Sequence, residues 1–263
     1  MKRCLALAAF ALFVAGCSTQ PTQQQEGPQV ESGAIVGDVG DPRNRARLHT
    51  ELAALYYSRG NMGVALDELR IASAADASYA PAYSMFGLVY MELREKRLAE
   101  ENFQRALSLS PSDPDINHNY AWYLCQSDRE QQSVDYFMRA IRNPLYQKPW
   151  RSYSAAGACL LRIGKVEEAE AMVQQALKIN ARDPRANLQM GEIRYRQGAY
   201  DEAQRWLRRF GEVSPPTAAS LWLGVRIENK LGQRMNEASL AAQLRRRFPG
   251  SPEYQKLQRG EYD

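Results

Sequence analysis

The sequence predicts an all-α protein whose greater part is a superhelical solenoid of about six helix–turn–helix repeats. Small and aromatic residues recur at fixed offsets with a period of about 34 residues, turn signals fall between segments of helical periodicity, and no period-two alternation supports strands. Of the 263 residues, 24% are charged and 44% apolar, the balance of a water-soluble globular or repeat protein. The net charge is +4, and about +2 if Lys2 and Arg3 are removed with a leader. That excess is too weak for a nucleic-acid partner, which calls for a clustered basic face.

Met1-Lys2-Arg3 precedes the apolar run Cys4 to Ala15. A basic start and an apolar stretch too short to span a membrane predict a signal peptide over 1–16. Val14-Ala15-Gly16-Cys17 resembles the lipobox of bacterial lipoproteins. The resemblance implies cleavage before Cys17 and a covalent lipid on that residue, with no other cofactor. Buried methylenes contribute about 0.8 kcal/mol each, so several acyl chains give a lasting anchor. Ser18 stands where an inner-membrane retention signal usually shows Asp, which implies the periplasmic face of the outer membrane. Residues 17–43, rich in Gln, Thr, Pro and Gly, have few aliphatic side chains to offset the entropy of ordering and predict a flexible tether.

The repeats are expected over 44–263. Gly87, Tyr90, Ala99, Phe103, Ala106 and Pro111 set the frame. One period earlier stand Ala53, Tyr56, Ala65, Leu69 and Ala72, and one later Ala121, Leu124, Ser133, Phe137 and Ala140. A two-residue insertion near Asn143-Pro144 precedes Gly157, Leu160, Ala169, Val173 and Ala176. Gly191, Arg194, Ala203, Leu207 and Pro215 follow, then a looser copy from Gly224 and Ile227. The pattern resembles the tetratricopeptide repeat, which implies a right-handed superhelix with units near 46–79, 80–113, 114–149, 150–183, 184–216 and 217–250, and a short C-terminal segment. Small residues let the paired helices approach while larger ones fill the space between pairs. Arg59-Gly60-Asn61, Ile163-Gly164-Lys165, Arg196-Gln197-Gly198 and Leu231-Gly232-Gln233 mark turns, and Asp113-Pro114 and Asp183-Pro184 read as an N-cap followed by proline at the first helical position.

No catalytic constellation is present. His49 and His118 are far apart, no zinc spacing occurs, and phosphate loops and nucleophile elbows are missing, so neither an enzyme, a metal site nor a small-molecule substrate is expected. Cys125 and Cys159, one repeat apart, are either a disulfide in an oxidising periplasm or two buried thiols.

In this repeat class the first helix of each pair lines the concave groove. Offsets from the Gly/Ala position select Thr50, Ala54 and Tyr57, then Ser84, Leu88 and Met91, then His118, Trp122 and Cys125, then Ser154, Ala158 and Leu161. Tyr57, Leu88, Met91, His118, Trp122 and Leu161 form the candidate groove, and its apolar stripe fits an amphipathic or extended peptide. With the register one residue off, the same side chains belong to the core between repeats. Arg208-Arg209 and Arg245-Arg246-Arg247 suit helix C-termini, with anionic lipid or peptidoglycan contact the alternative.

Several stretches go further: Tyr120-Ala-Trp-Tyr-Leu-Cys-Gln, Ala140-Ile-Arg-Asn-Pro-Leu-Tyr, Ala219-Ser-Leu-Trp-Leu-Gly-Val-Arg and Phe248-Pro-Gly-Ser-Pro-Glu-Tyr. Together with the lipobox and the insertion after repeat three, they resemble the type IV pilus biogenesis lipoproteins of the PilF/PilW family. That resemblance implies a pilotin, which helps the secretin pore of the pilus machine reach the outer membrane and assemble, by escorting monomers or by stabilising the oligomer. An adaptor for peptidoglycan synthesis or hydrolysis, or a part of another envelope machine, shares the same fold.

Overall fold

The structure is a computed structural model that describes residues 40–262. Thirteen α-helices occur among them and no strand. The chain runs α1 (Pro42–Ser58) and α2 (Met62–Ala75), α3 (Ala80–Glu92) and α4 (Lys96–Leu109), α5 (Pro114–Gln126) and α6 (Glu130–Arg142). It continues with α7 (Pro149–Arg162) and α8 (Val166–Ile179), α9 (Pro184–Arg196) and α10 (Tyr200–Val213), α11 (Ala218–Lys230) and α12 (Arg234–Arg247), and closes on α13 (Pro252–Arg259).

Local chemistry explains where these helices start. A side-chain oxygen can satisfy a free amide of the first turn, and proline suits the first helical position. Asp41 accepts from the Arg43 amide at 3.1 Å, Asp113 from Ile116 at 2.9 Å and Asp183 from Arg185 at 3.0 Å. Thr217 and Ser220 cap each other's backbone at the head of α11. The Asp41-Pro42 pair corrects one expected boundary: helix begins at Pro42, inside the tether predicted to run to residue 43. The leader, Cys17 and the remainder of that tether up to residue 39 lie outside the described residues.

Within each pair the turn needs one residue of left-handed backbone. Gly60, Gly164, Gly198 and Gly232 supply it with φ between 71° and 78°. Arg94 and Asp128 hold the same place in repeats two and three, at 61° and 59°.

Each pair is held where a second helix crosses a first. Ala53 and Ala121 are fully buried at the crossing. At Gly87 an added Cβ would lie 2.8 Å from the Phe103 ring, and at Gly157 2.6 Å from Val173 Cγ2. Opposite, Leu69, Phe103, Phe137 and Val173 are fully buried, each contributing on the order of 2–3 kcal/mol. The last repeat is shifted by one against expectation. By their ends, α11 and α12 follow α9 and α10 at the period of the earlier repeats, which puts Val225, Glu237 and Leu244 in the places of Gly191, Ala203 and Phe210, while Gly224 beside Val225 is itself closely packed, an added Cβ there lying 2.9 Å from Leu240 Cδ1. Gly224 suggested the other frame because glycine marks the crossing in three other repeats.

Every first helix touches the next first helix, from α1 against α3 through to α9 against α11, whereas successive second helices do not touch. The first helices therefore make the inner wall and the second helices the outer one. Cys125 on α5 and Cys159 on α7 are joined by a disulfide, with their Cα atoms 5.8 Å apart. Closing that loop contributes about 2–4 kcal/mol by chain-entropy reasoning. At the far end α13 packs on α11 and α12, where Tyr254, Leu257 and Tyr262 cover the cluster of Leu221, Trp222, Val225 and Leu244.

Gly157→Ala and Gly87→Ala are expected to lower stability in chemical denaturation by roughly 1–2 kcal/mol, overpacking outweighing the helix propensity of alanine. Gly191→Ala, where the nearest side-chain atom is 3.3 Å from the added Cβ, is expected to be neutral or stabilising. A uniform gain at all three positions contradicts this account of the crossings.

Candidate functional site

The inner wall presents side chains three positions before, one after and one turn beyond each crossing, and two cavities open on it. The front cavity, about 220 Å³, is lined by Leu88, His118, Asn119, Trp122, Arg151, Ser154, Asp183 and Arg185. The rear cavity, about 710 Å³, lies between Ala158 and Leu161 of α7, Leu188 and Tyr195 of α9, Trp222 and Arg226 of α11, and Pro252, Glu253 and Lys256 of α13.

Of the residues singled out from sequence, Leu88, His118 and Trp122 come together in the front cavity, and Leu161 faces the rear one. Tyr57 and Met91 line neither. Tyr57 packs on the core of repeats one and two, and Met91 on the Phe103–Tyr120 cluster. Leu88 touches the cores on both sides of it, so the expected stripe is shared between groove and core. The rear aromatics Tyr195 and Trp222 were absent from the expected groove. The same offsets applied to repeat five select Leu188, Glu192 and Tyr195. In repeat six the register from Gly224 selects Leu221, Val225 and Glu228, none of which lines the cavity, whereas the register from Val225 selects Trp222 and Arg226, which do.

Hydrogen bonds between neighbouring first helices fix the wall. Asn119 Nδ2 donates to Ser84 Oγ at 3.1 Å, and Gln189 Nε2 to the Ser154 carbonyl at 2.8 Å. Arg162 reaches back one repeat to the Cys125 carbonyl at 2.7 Å, and Arg196 to that of Leu161 at 2.9 Å. His118 Nδ1 lies 2.8 Å from Ser152 Oγ, while the ring meets Phe137 edge-on. Burial pushes the His118 pKa down to about 3, with Arg151 and Arg185 acting in the same direction, so the ring is neutral at physiological pH. At the rear cavity Glu192 bridges Arg226 at 2.6 Å and Arg196 at 2.9 Å. The Arg226 guanidinium also lies 4.6 Å from the Tyr195 ring centroid and 5.8 Å from that of Trp222. Tyr262 closes this end, its ring 5.5 Å from Trp222 and its carbonyl accepting from Tyr195 at 3.3 Å.

This arrangement is suited to holding a chain. Aromatic and aliphatic walls offer area, and fixed charges at the rim offer register. His49 pairs with Glu68 at 2.6 Å, remote from His118, and among the described residues no three His, Cys, Asp or Glu side chains gather as metal ligands. No described helix is long and apolar enough to cross a membrane.

Tetratricopeptide-repeat family models match residues 80–113 and 159–221. Over 217 residues the chain is 29% identical to the type IV pilus assembly protein PilF of Pseudomonas aeruginosa, covering 82% of this chain and 86% of the relative. The crystal structure of PilW, described as a widely conserved type IV pilus biogenesis factor, matches with a TM-score of 0.72 at 27% identity, covering 81% of this chain and 98% of that one. The solved Pseudomonas aeruginosa PilF structure matches equally well, with a TM-score of 0.72 at 27% identity, covering 83% and 99% of the two chains. The chain is thus a tetratricopeptide-repeat protein homologous to the PilF and PilW type IV pilus biogenesis proteins over most of its length.

His118 gives the wall a measurable signature. The unfolded chain takes up a proton near pH 6.5, well above the native ring, so this residue's contribution to stability is held above that pH and lost as pH falls toward 3. Denaturation at pH 7 and pH 5 is expected to differ by on the order of 1–2 kcal/mol through this residue alone, and His118→Asn to remove that increment. An acid limb identical in the variant contradicts the buried neutral ring.

Proposed function

We propose that this chain is a pilotin: a lipoprotein anchored through Cys17 at the periplasmic face of the outer membrane, whose inner wall takes a segment of the pilus secretin and helps the pore to localise, assemble or stay assembled. The observation that carries the reading is the cavity-bearing inner wall, on a chain whose likeness to pilus biogenesis proteins runs through most of its repeats and not through one or two of them. A generic repeat would give similarity of fold alone. Tyr195, Trp222 and Leu161 provide apolar anchors of the kind that dominate peptide affinity.

The anchor and the wall have separate tasks. The lipid on Cys17 restricts the protein to a membrane surface, and the solenoid captures its guest there, which raises the guest's effective concentration beside that membrane. The protein acts by binding and carries out no reaction.

Deletion of the gene, followed by blotting for secretin multimers and scoring twitching motility, tests this directly. Multimers and motility are expected to be lost, to return with the wild-type gene, and to stay several-fold reduced with Cys17→Ala or with Ala158→Glu plus Ala219→Glu at wild-type protein level. Normal multimers and normal motility in the deletion strain would refute the pilotin role and favour an adaptor in another envelope machine.

A further inference from the structure

Most arginines on or beside the inner wall face a carboxylate. Arg129 meets Glu100, Arg162 meets Glu130, Arg194 meets Glu170, and both Arg196 and Arg226 meet Glu192. Arg151 and Arg185, which line the front cavity from α7 and α9, differ. Neither guanidinium has an acidic side chain within ion-pair distance among the described residues. Asp183, the acid of this cavity, is turned to the helix start, where it accepts the Arg185 backbone amide at 3.0 Å. Both arginines also sit in the first turns of their helices, where the dipole disfavours a cation. An anion between them would relieve both costs.

The rest of the cavity agrees. The Arg185 guanidinium lies 5.4 Å from the Trp122 ring centroid, a contact that holds it over the groove. His118, only 7% exposed, has its Nδ1 taken by Ser152, and no described residue bonds its Nε2. Both arginines depress the basicity of that ring, so the potential in the cavity is positive.

We propose that the front cavity is a carboxylate receptor, in which Arg151 and Arg185 grip one carboxylate of a bound peptide beside Trp122 while apolar residues of the same peptide occupy the rear cavity. The proposal rests on the peptide-groove reading above and adds the chemistry of the guest: an acidic segment. A planar guanidinium suits a carboxylate because it can offer two parallel N–H donors, and two guanidiniums can share its two oxygens. A carboxylate on a side chain and one at a chain terminus meet the same recognition.

Three peptides carrying a neutral BODIPY label at the N-terminus test the idea on the full-length lipoprotein in dodecyl maltoside: Leu-Glu-Leu-Glu-Leu-amide, Leu-Gln-Leu-Gln-Leu-amide and Leu-Gln-Leu-Gln-Leu with a free C-terminus. Anisotropy at low salt is expected to show one or both carboxylate-bearing peptides binding about tenfold more tightly than the neutral amide. Which one does so identifies the source of the carboxylate. In Arg151→Gln plus Arg185→Gln the preference is expected to fall to within about twofold, with thermal unfolding unchanged, and Lys at both positions is expected to give an intermediate preference. Equal affinities for the three peptides, or a preference that survives the Gln variant, would overturn the receptor and leave the groove standing. Loss of all three to Ala158→Glu plus Ala219→Glu, less buried positions of the rear cavity, with thermal unfolding unchanged, reports on the groove separately. No binding at millimolar peptide, or Arg-dependent binding of phosphatidylglycerol vesicles without any peptide preference, would also overturn it.

Discussion

Two backbones passing close at one point, repeated six times, determine the rest of the molecule. At Gly87 and Gly157 there is no room for even a Cβ, and Ala53 and Ala121 are fully buried at the same place. That approach sets the rotation of each first helix, because the residue against the partner fixes which neighbours point to the opposite side. The positions three before, one after and four after the crossing face inward as a consequence of packing. Wall and core are one geometric decision, which is why Leu88 serves both.

A solenoid built only from such pairs would leave the spacing between repeats to apolar contact alone. Here specific bonds add to it. The Cys125–Cys159 disulfide ties α5 to α7, and Arg162 and Arg196 each reach back to a carbonyl of the preceding repeat. These links join repeats three to five, whereas the front cavity reaches from repeat two to repeat five and the rear one from repeat four to α13. The two cavities differ in chemistry. The front one couples two unpaired guanidiniums to a neutral histidine and an indole, and the rear one surrounds the Glu192–Arg196–Arg226 ion pairs with aromatic rings. A guest that is acidic at one end and apolar at the other suits both.

The repeat frame was legible because packing at a crossing admits few residue types, and those types recur on a fixed period. Glycine turns and Asp-Pro caps were legible for the same reason, since each answers a local backbone demand. What was illegible had more than one local solution. Arg94 and Asp128 adopt the left-handed turn without glycine, so nothing in their identity announces it. Val225 stands where glycine stands in repeats two, four and five, with Gly224 beside it, so the frame of the last repeat was ambiguous, and Tyr195, Trp222 and Arg226 lie in repeats five and six, beyond the four repeats from which the expected groove was drawn. The pairing of the arginines was also hidden, because Arg162 and Arg196 act across a repeat boundary on backbone atoms that carry no sequence signature. The short α13 lacked a repeat pattern, yet it supplies one wall of the larger cavity.

The central claim is that the inner wall, and not the outer one, receives the secretin. Photo-cross-linking in cells tests it most directly, with a benzophenone amino acid placed at Ala158 or Ala219, which line the rear cavity, and at Glu101 or Glu168 on exposed second helices. Secretin adducts are predicted from the two inner positions and none from the two outer ones. Adducts of equal yield from both faces, or from the outer face alone, would contradict the account.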